Sequence, residues 1–359
     1  MRNTPGKIRE EGKVMIDTFE LKLTVPYSIV DLLSRELEKE IKFNNNFCKL
    51  PNPLGQPGVR AVNITRQKNS EKYSIAIEIN PTELLEESAS IELFQCSEKN
   101  VEALQQALKE VLVSIHPYFS LSNTKWSLSR IDFTMQFYTP HVELYTILES
   151  KGPIPYRYEG LQKPGSTYKM CKSSRINAYN KGNQLIKTNS PVSLKHEAVG
   201  LYRFEYQCKN PKYLYNKYNI DRRELFGLFT KDIAVAILKA QHERHIKAGD
   251  YYTYDEAEKR IYEMKGKQKQ TKELALQVLR FIESAGSFAN ALQLIRDDDD
   301  IVPERFRGAH SERSYGILKN TFNEFIREHL CKVGINPVLL SNDYGFTLLP
   351  NTSSMLFTA

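Results

Sequence analysis

The sequence predicts an α+β fold: a largely antiparallel, palm-like sheet covered by helices, followed by a mainly helical C-terminal region. Three observations carry that prediction. Four short stretches, 73–79, 128–136, 175–181 and 201–208, alternate apolar and polar residues at the two-residue period of a strand. Amphipathic segments and Pro/Gly-rich connections separate them. Beyond Leu225 the apolar spacing turns helical.

Taken in order, Met15–Val25 alternates in part and predicts a first strand, and Ser28–Lys42 an amphipathic helix. The Asn44–Asn46 run and the Pro51–Pro57 segment predict a long polar loop before the strand that carries Glu78. Over Glu98–Ile115, Val101, Leu104, Leu108, Val111, Leu112 and Ile115 recur at helical spacing, and Pro117 stops them. His141–Glu149 predicts a short helix, and Gly152–Gly165 a loop. Leu225–Lys247 predicts one helix ended near Gly249, and Glu258–Lys269 a linker or exposed helix. Leu274, Val278, Phe281 and Ile282 mark another helix; Leu318 to Leu330 mark the last, with Gly334 as its cap. The change of character places a domain boundary near 250, dividing 1–250 from 251–359.

No apolar run approaches the ~20 residues that span a bilayer, and the first residues lack the apolar core of a secretory signal. A cytoplasmic location is expected. Five scattered cysteines without a CxxC pair exclude a disulfide framework and a structural zinc site. No P-loop, GxGxxG or HExxH motif is present, which leaves ATP hydrolysis, nicotinamide chemistry and zinc proteolysis unsupported.

Charge is unevenly spread. Of the net +7, the stretch from Lys151 to Arg223 carries 15 Lys/Arg against 4 Asp/Glu, so the rest of the chain is slightly acidic. That stretch also holds nine of the 20 tyrosines. Cations neutralise phosphates and aromatic faces stack on unpaired bases, so the interleaving points to nucleic acid.

Strand parity then groups reactive side chains. Glu78 opposes Ile77 and Ile79; Asp132 opposes Ile131 and Phe133; Arg175, Asn177, Tyr179 and Lys181 share one face; Arg203, Glu205 and Gln207 share another. Asp132, Glu205 and Glu78 are hard oxygen donors suited to Mg²⁺ or Mn²⁺. A tyrosine hydroxyl with a pKa near ~10 is a weak nucleophile unless activated, and Lys181 lies two residues from Tyr179 on the same face. Tyr168, in Gly165-Ser-Thr-Tyr-Lys, is the rival nucleophile. His242 and His245 read as a solvated helix end rather than a ligand pair.

Met15-Ile-Asp, the Glu78 strand followed by Asn80-Pro81-Thr82-Glu83, Ser129-Arg-Ile-Asp, Ala178-Tyr-Asn-Lys and Leu201-Tyr-Arg-Phe-Glu occur in this order. Their order and spacing resemble the phage/plasmid replication proteins of the II/X type, the rolling-circle initiators typified by the filamentous phages. The resemblance covers roughly 15–230, with a weaker helical similarity around 314–340. It implies an endonuclease that nicks one strand at a replication origin, becomes joined to the 5′ phosphate through tyrosine, and later rejoins the displaced strand. By the same resemblance the linking tyrosine is Tyr179, in a Tyr-x-Lys pattern with Lys181, and the metal ligands are Asp132 and Glu205. Glu78 is added from the shared sheet. Gly182-Asn183-Gln184 departs from the phage pattern, and a related plasmid class with a tyrosine-rich loop keeps Tyr168 in view. Arg175, Arg203, Lys169, Lys172 and Arg130 are the expected DNA-binding cations. Origin DNA, double-stranded and as an exposed single strand, is the expected partner, with host helicase and polymerase following nicking. A non-catalytic origin-binding protein and a conjugative relaxase are the rival readings.

Overall fold

Nine strands pair edge to edge into one antiparallel sheet in the computed structural model, which describes residues 13–53, 55–68, 70–122, 125–155, 158–163 and 166–353. They are β1 (Lys13–Pro26), β2 (Phe47–Pro51), β3 (Val59–Arg66), β4 (Lys72–Ile79), β5 (Ser127–Tyr138), β6 (Glu159–Lys163), β7 (Ser166–Met170), β8 (Ser174–Asn180) and β9 (Leu201–Cys208). Their spatial order is β2-β3-β4-β1-β5-β9-β8-β7-β6, so the four alternating strands and the first strand of the sequence reading lie in one sheet. The α+β, antiparallel expectation matches the structure.

Two places differ from expectation. The stretch read as a loop between Asn44 and Pro57 contains β2, and β3 follows it; Pro51, Gly55, Pro57 and Gly58 punctuate the sequence so heavily that a hairpin reads as coil. The expected Gly152–Gly165 loop lies partly outside the described residues, and its remainder holds β6, paired to β7.

One face of the sheet is apolar. Phe19, Leu21, Ile75, Ile77, Ile131, Phe133, Ile176, Ala178, Phe204 and Tyr206 are buried there. Three helices cover it: α1 (Tyr27–Glu36) near β1 and β4, the helix Val142–Ser150 over β7 and β8, and a long helix, Lys231–His245, against β1, β5 and β9. That long helix was expected to start at Leu225. It starts at Lys231 because Thr230 caps it, accepting from the Ile233 amide at 3.4 Å, while Phe226 and Phe229 turn in the preceding segment to meet Phe19 edge-on at 6.1 and 5.2 Å. In chain order α1 is followed by α2 (Pro81–Glu86), α3 (Glu98–Ile115), α4 (Val142–Ser150), α5 (Lys181–Lys187), α6 (Val192–Glu197) and α7 (Lys212–Lys217), so the long helix is α8. At Gly58 a Cβ would stand 2.4 Å from the Leu84 amide of α2, and φ is +82°, so only glycine fits where β3 passes that helix.

Beyond Tyr251, α9 (Tyr254–Glu263), α10 (Lys269–Ser284), α11 (Phe288–Asp297) and α12 (Glu312–His329) enclose a second apolar cluster around Phe281, Phe288, Phe306 and Phe322. The chain then returns. Val338, Leu340 and Leu349 join the first cluster, and Tyr251–Tyr252 pairs with Leu348–Leu349. This returning strap is fastened by polar bonds: Tyr145 Oη to Pro350 O at 2.8 Å, Thr352 Oγ1 to Glu149 Oε1 at 3.1 Å, and Asn351 Nδ2 to Gly249 O at 2.8 Å. Among the described residues no helix is long and apolar enough to cross a membrane.

Candidate functional site

The sheet's other face is polar, and the pairings decide who meets there. Tyr179 stands opposite Arg203, Asn177 opposite Glu205, Thr134 opposite Glu205 and Gln136 opposite Arg203. Directly paired residues share a face. The parity argument therefore brings Tyr179, Glu205 and Arg203 together at the centre of the sheet.

The contacts are specific. Tyr179 Oη donates to Glu205 Oε1 in a short hydrogen bond. Arg203, only 1% exposed, is held from four directions: its Nη1 reaches Asp17 Oδ1 at 2.9 Å and Glu205 Oε1 at 3.9 Å, its Nε and Nη2 reach Gln136 Oε1 at 3.0 and 2.6 Å, and Nη2 reaches the Ile91 carbonyl at 2.7 Å. Lys181, at the start of α5, donates to Gln184 at 2.7 Å. Asn180 caps this helix, so strand β8 ends in a helix whose first residue keeps its amine beside the cluster.

Charge placement tunes each group. Burial lifts the Glu205 carboxyl to about 7, and the negative charge of Asp17 adds to the lift against the pull of Arg203, the Tyr179 hydroxyl and Lys181. Burial, with the Glu205 carboxylate, raises the Tyr179 hydroxyl well above its ordinary range. Burial and the Arg203 charge lower Lys181 to about 8. Burial also works to raise Asp17, but Arg203, Lys181, Thr18 and Arg60 outweigh it and hold that carboxyl below the usual range. The Tyr179 hydroxyl thus stays protonated and directs its proton at a carboxyl that burial has raised to about 7.

Asp17 is the member that sequence reasoning did not single out, although Met15-Ile-Asp was noted. It lies at a register shift in the β1–β5 pairing, between Ile16 and Thr18. Strict alternation from Phe19 would turn Asp17 to the core; the bulge turns it to the polar face instead.

A second polar group adjoins the first. Arg130 grips Asp132 with Nε and Nη2, at 3.0 and 2.6 Å, and reaches Glu78 at 3.3 Å; Gln207 adds a bond to Asp132 at 3.2 Å. Asp132 and Glu78 are thus on the expected face, but both are taken up by Arg130. For a divalent ion the donor chemistry of these carboxylates fits, since all are hard oxygens. Among the described residues, however, no three His, Cys, Asp or Glu side chains form a ready-made ion site.

The remaining expected residues fall apart into three groups. Tyr168 is on the same face as Tyr179, paired with Asn177, with the Arg175 guanidinium over its ring at 5.1 Å. Lys172 is exposed in the turn between β7 and β8. Two cations are withdrawn from the DNA-facing set. Lys169 points to the opposite face, 2% exposed, and its ammonium is spent on the carbonyls of Glu149, Pro153 and His245 at 3.2, 3.1 and 2.8 Å. Arg203 lies too deep for a groove contact and belongs to the inner cluster. His242 and His245, expected on a solvated helix end, are also buried: α8 turns them onto the sheet, His242 against Phe204 at 5.4 Å and His245 against Tyr158 at 4.6 Å.

Comparison with known proteins finds no matching sequence family and no matching curated protein. Among solved structures, the chain matches the rolling circle replication initiator protein from Geobacillus stearothermophilus, with a TM-score of 0.29 and 9% identity over 65% of this chain and 85% of that one.

Proposed function

We propose that this protein is a DNA strand transferase that starts rolling-circle replication by a tyrosine-linked nick. The observation that carries the reading is the Tyr179 hydroxyl donating to Glu205 beside Arg203 and Lys181. The motif order of the sequence supports the same choice. Glu205 takes the phenolic proton as Tyr179 Oη forms a bond to the scissile phosphorus. The bond from phosphorus to the 3′ oxygen breaks; the departing 3′ oxygen takes a proton from water, leaving a 3′ hydroxyl and a 5′-phosphotyrosine. Lys181, whose charge acts on Glu205 and Asp17 and whose pKa burial and Arg203 lower to about 8, offsets the charge that builds on the phosphate oxygens. Arg203 is a positioning residue that fixes Glu205 and Asp17 relative to each other.

Mg²⁺ or Mn²⁺ would be held by Glu205 with Asp17, or with Asp132 and Glu78 if Arg130 gives way, and would polarise the phosphate when bound. Origin DNA is the proposed partner, and host helicase and polymerase would use the freed 3′ end.

The test is Tyr179→Phe. It should abolish covalent protein–DNA adducts on supercoiled or single-stranded origin DNA with Mg²⁺ or Mn²⁺ and leave DNA binding nearly intact. Mass spectrometry of the peptide joined to the oligonucleotide identifies the residue. An adduct that survives in Tyr179→Phe and vanishes in Tyr168→Phe reassigns the nucleophile. A wild-type protein that binds origin DNA but never cleaves it leaves the non-catalytic origin-binding reading.

A further inference from the structure

A second cationic place lies away from the sheet's polar face. A cleft of about 540 Å³ opens between the C-terminal end of α8 and the side of α12. Its lining brings Arg244 and Lys247 of the first region against Arg313 and Lys319 of the second, with Asn320 and Asn323 between them. Among the described residues no carboxylate lines it. Four like charges gathered in one hollow repel one another unless an anion joins them.

The side chains are held rather than loose. The Arg244 guanidinium sits over the Tyr158 ring at 5.3 Å, and the Lys247 ammonium rests 3.4 Å from Asn323 Oδ1 and 5.6 Å from the Phe288 ring. On α12, Arg313, Gly316, Asn320 and Asn323 follow at intervals of three and four and so present one face to the hollow. Gly316 is the telling member. A glycine inside a helix costs about 1 kcal/mol relative to alanine, and here nothing stands within 4 Å of where its Cβ would be. Neighbouring protein gives no packing reason for it; a ligand backbone that must come close to the helix does.

From these observations we infer that the cleft grips the phosphate backbone of duplex DNA. Arginine, lysine and asparagine are the side chains that take phosphate and sugar contacts, which position a protein without reading sequence. Single-stranded sites add aromatic faces for unpaired bases, and none lines this cleft among the described residues. Beyond Lys247 and Asn323 the cleft continues into a hollow of about 410 Å³ where Glu243 and Glu324 accompany Arg327, so the anion seat is confined to the Arg244–Arg313 end.

The location separates two tasks. His242 of α8 packs on Phe204, whose side chain points away from the face carrying Arg203 and Glu205. The cleft is therefore on the opposite side of the sheet from Tyr179, and Pro153, Ile154 and Pro155 line it just before β6 at the sheet edge. DNA held here as duplex would reach Tyr179 only around the β6–β7 edge. The inference rests on the DNA-processing reading and assigns it a grip that is independent of the chemistry.

The experiment compares wild type with the fourfold variant Arg244→Gln, Lys247→Gln, Arg313→Gln, Lys319→Gln, by fluorescence anisotropy from 50 to 200 mM salt, on a random-sequence duplex and on an oligo-dT strand. Each phosphate contact contributes about 0.9 to the salt slope, so the duplex slope should flatten by roughly three to four, with oligo-dT affinity and adduct formation on single strands unchanged. The charge-keeping pair Arg244→Lys, Arg313→Lys should bind duplex as wild type does, and Gly316→Leu, which has room for its side chain, should bind it several-fold more weakly. An unchanged duplex affinity and slope in the fourfold variant overturns the cleft while leaving the nicking reading intact. Equal losses on duplex and oligo-dT overturn the duplex assignment. A wild type that forms no adduct, yet loses the predicted slope on substitution, removes the nicking reading and keeps the cleft.

Discussion

In the proposed step Glu205 would receive the tyrosine proton only while ionised, and its surroundings set that condition in opposite directions: burial and Asp17 raise its pKa, while Arg203, the Tyr179 hydroxyl and Lys181 lower it. Glu205→Gln keeps the shape and removes the base, so adduct formation should fall by about 10²–10⁴-fold, the range for a positioned acid or base. Filter binding of the same DNA should be nearly unchanged, which separates this loss from misfolding. Tyr179, Glu205 and Lys181 were legible in the sequence because parity and the Tyr-x-Lys spacing place them on one face. Asp17 was not, because a bulge breaks the alternation that parity relies on. Lys169 was misread for the complementary reason. Its charge suggested surface, but its place in β7 alternates with Tyr168 and so faces inward, where three carbonyls satisfy it.

At the scale of elements, α3 is Glu98–Ile115 in both sequence pattern and structure, since Ser97 caps one end and Pro117 follows the other. The β2–β3 hairpin, and β6 with β7, were illegible for a different reason. Each pair joins near neighbours along the chain, but prolines and glycines punctuate both stretches so heavily that short strands read as coil.

The junction of α4, β9 and the returning strap also responds to pH. Glu149 is fully buried; burial lifts its carboxyl to about 7, against hydrogen bonds from Tyr202 at 2.6 Å and Thr352 at 3.1 Å and the charge of Lys169. A carboxyl raised on folding gives stability that is complete below the unfolded value near ~4.5 and is lost as pH rises to about 7. Wild type should therefore lose stability relative to Glu149→Gln across that window, by up to about 1.4 kcal/mol per pH unit. Denaturant titrations at pH 5, 6 and 7 measure it, and parallel curves for the two proteins would refute it.

At the scale of the whole molecule there are two large apolar clusters, Tyr251 belonging to the first and Tyr252 to the second, and Val338, Leu340 and Leu349 return to the first. Phe322, in contact with Phe281, Phe288 and Phe306 at 6.1, 5.8 and 5.0 Å, is the centre of the second cluster. Phe322→Ala should cost about 3–5 kcal/mol there and split chemical unfolding into two phases, α-helical signal being lost first; a single undisplaced transition would contradict this. The cationic cleft was invisible to a scan of local charge. Its members lie outside the basic stretch, in a part of the sequence whose net charge is slightly negative, and only the docking of α8 near α12 brings them together.

The strap also has a temporal meaning. Thr352 meets Glu149 across 203 residues of chain. At about 5–20 residues per second, a ribosome needs on the order of 10–40 s to supply that partner after Glu149 is made. Until then Glu149 lacks one of its hydrogen bonds and the sheet's apolar face lacks Leu349. A nascent chain thus carries every residue of the polar face well before the fold behind it can close. The proposed DNA engagement should accordingly require the returning strap to have left the ribosome and docked.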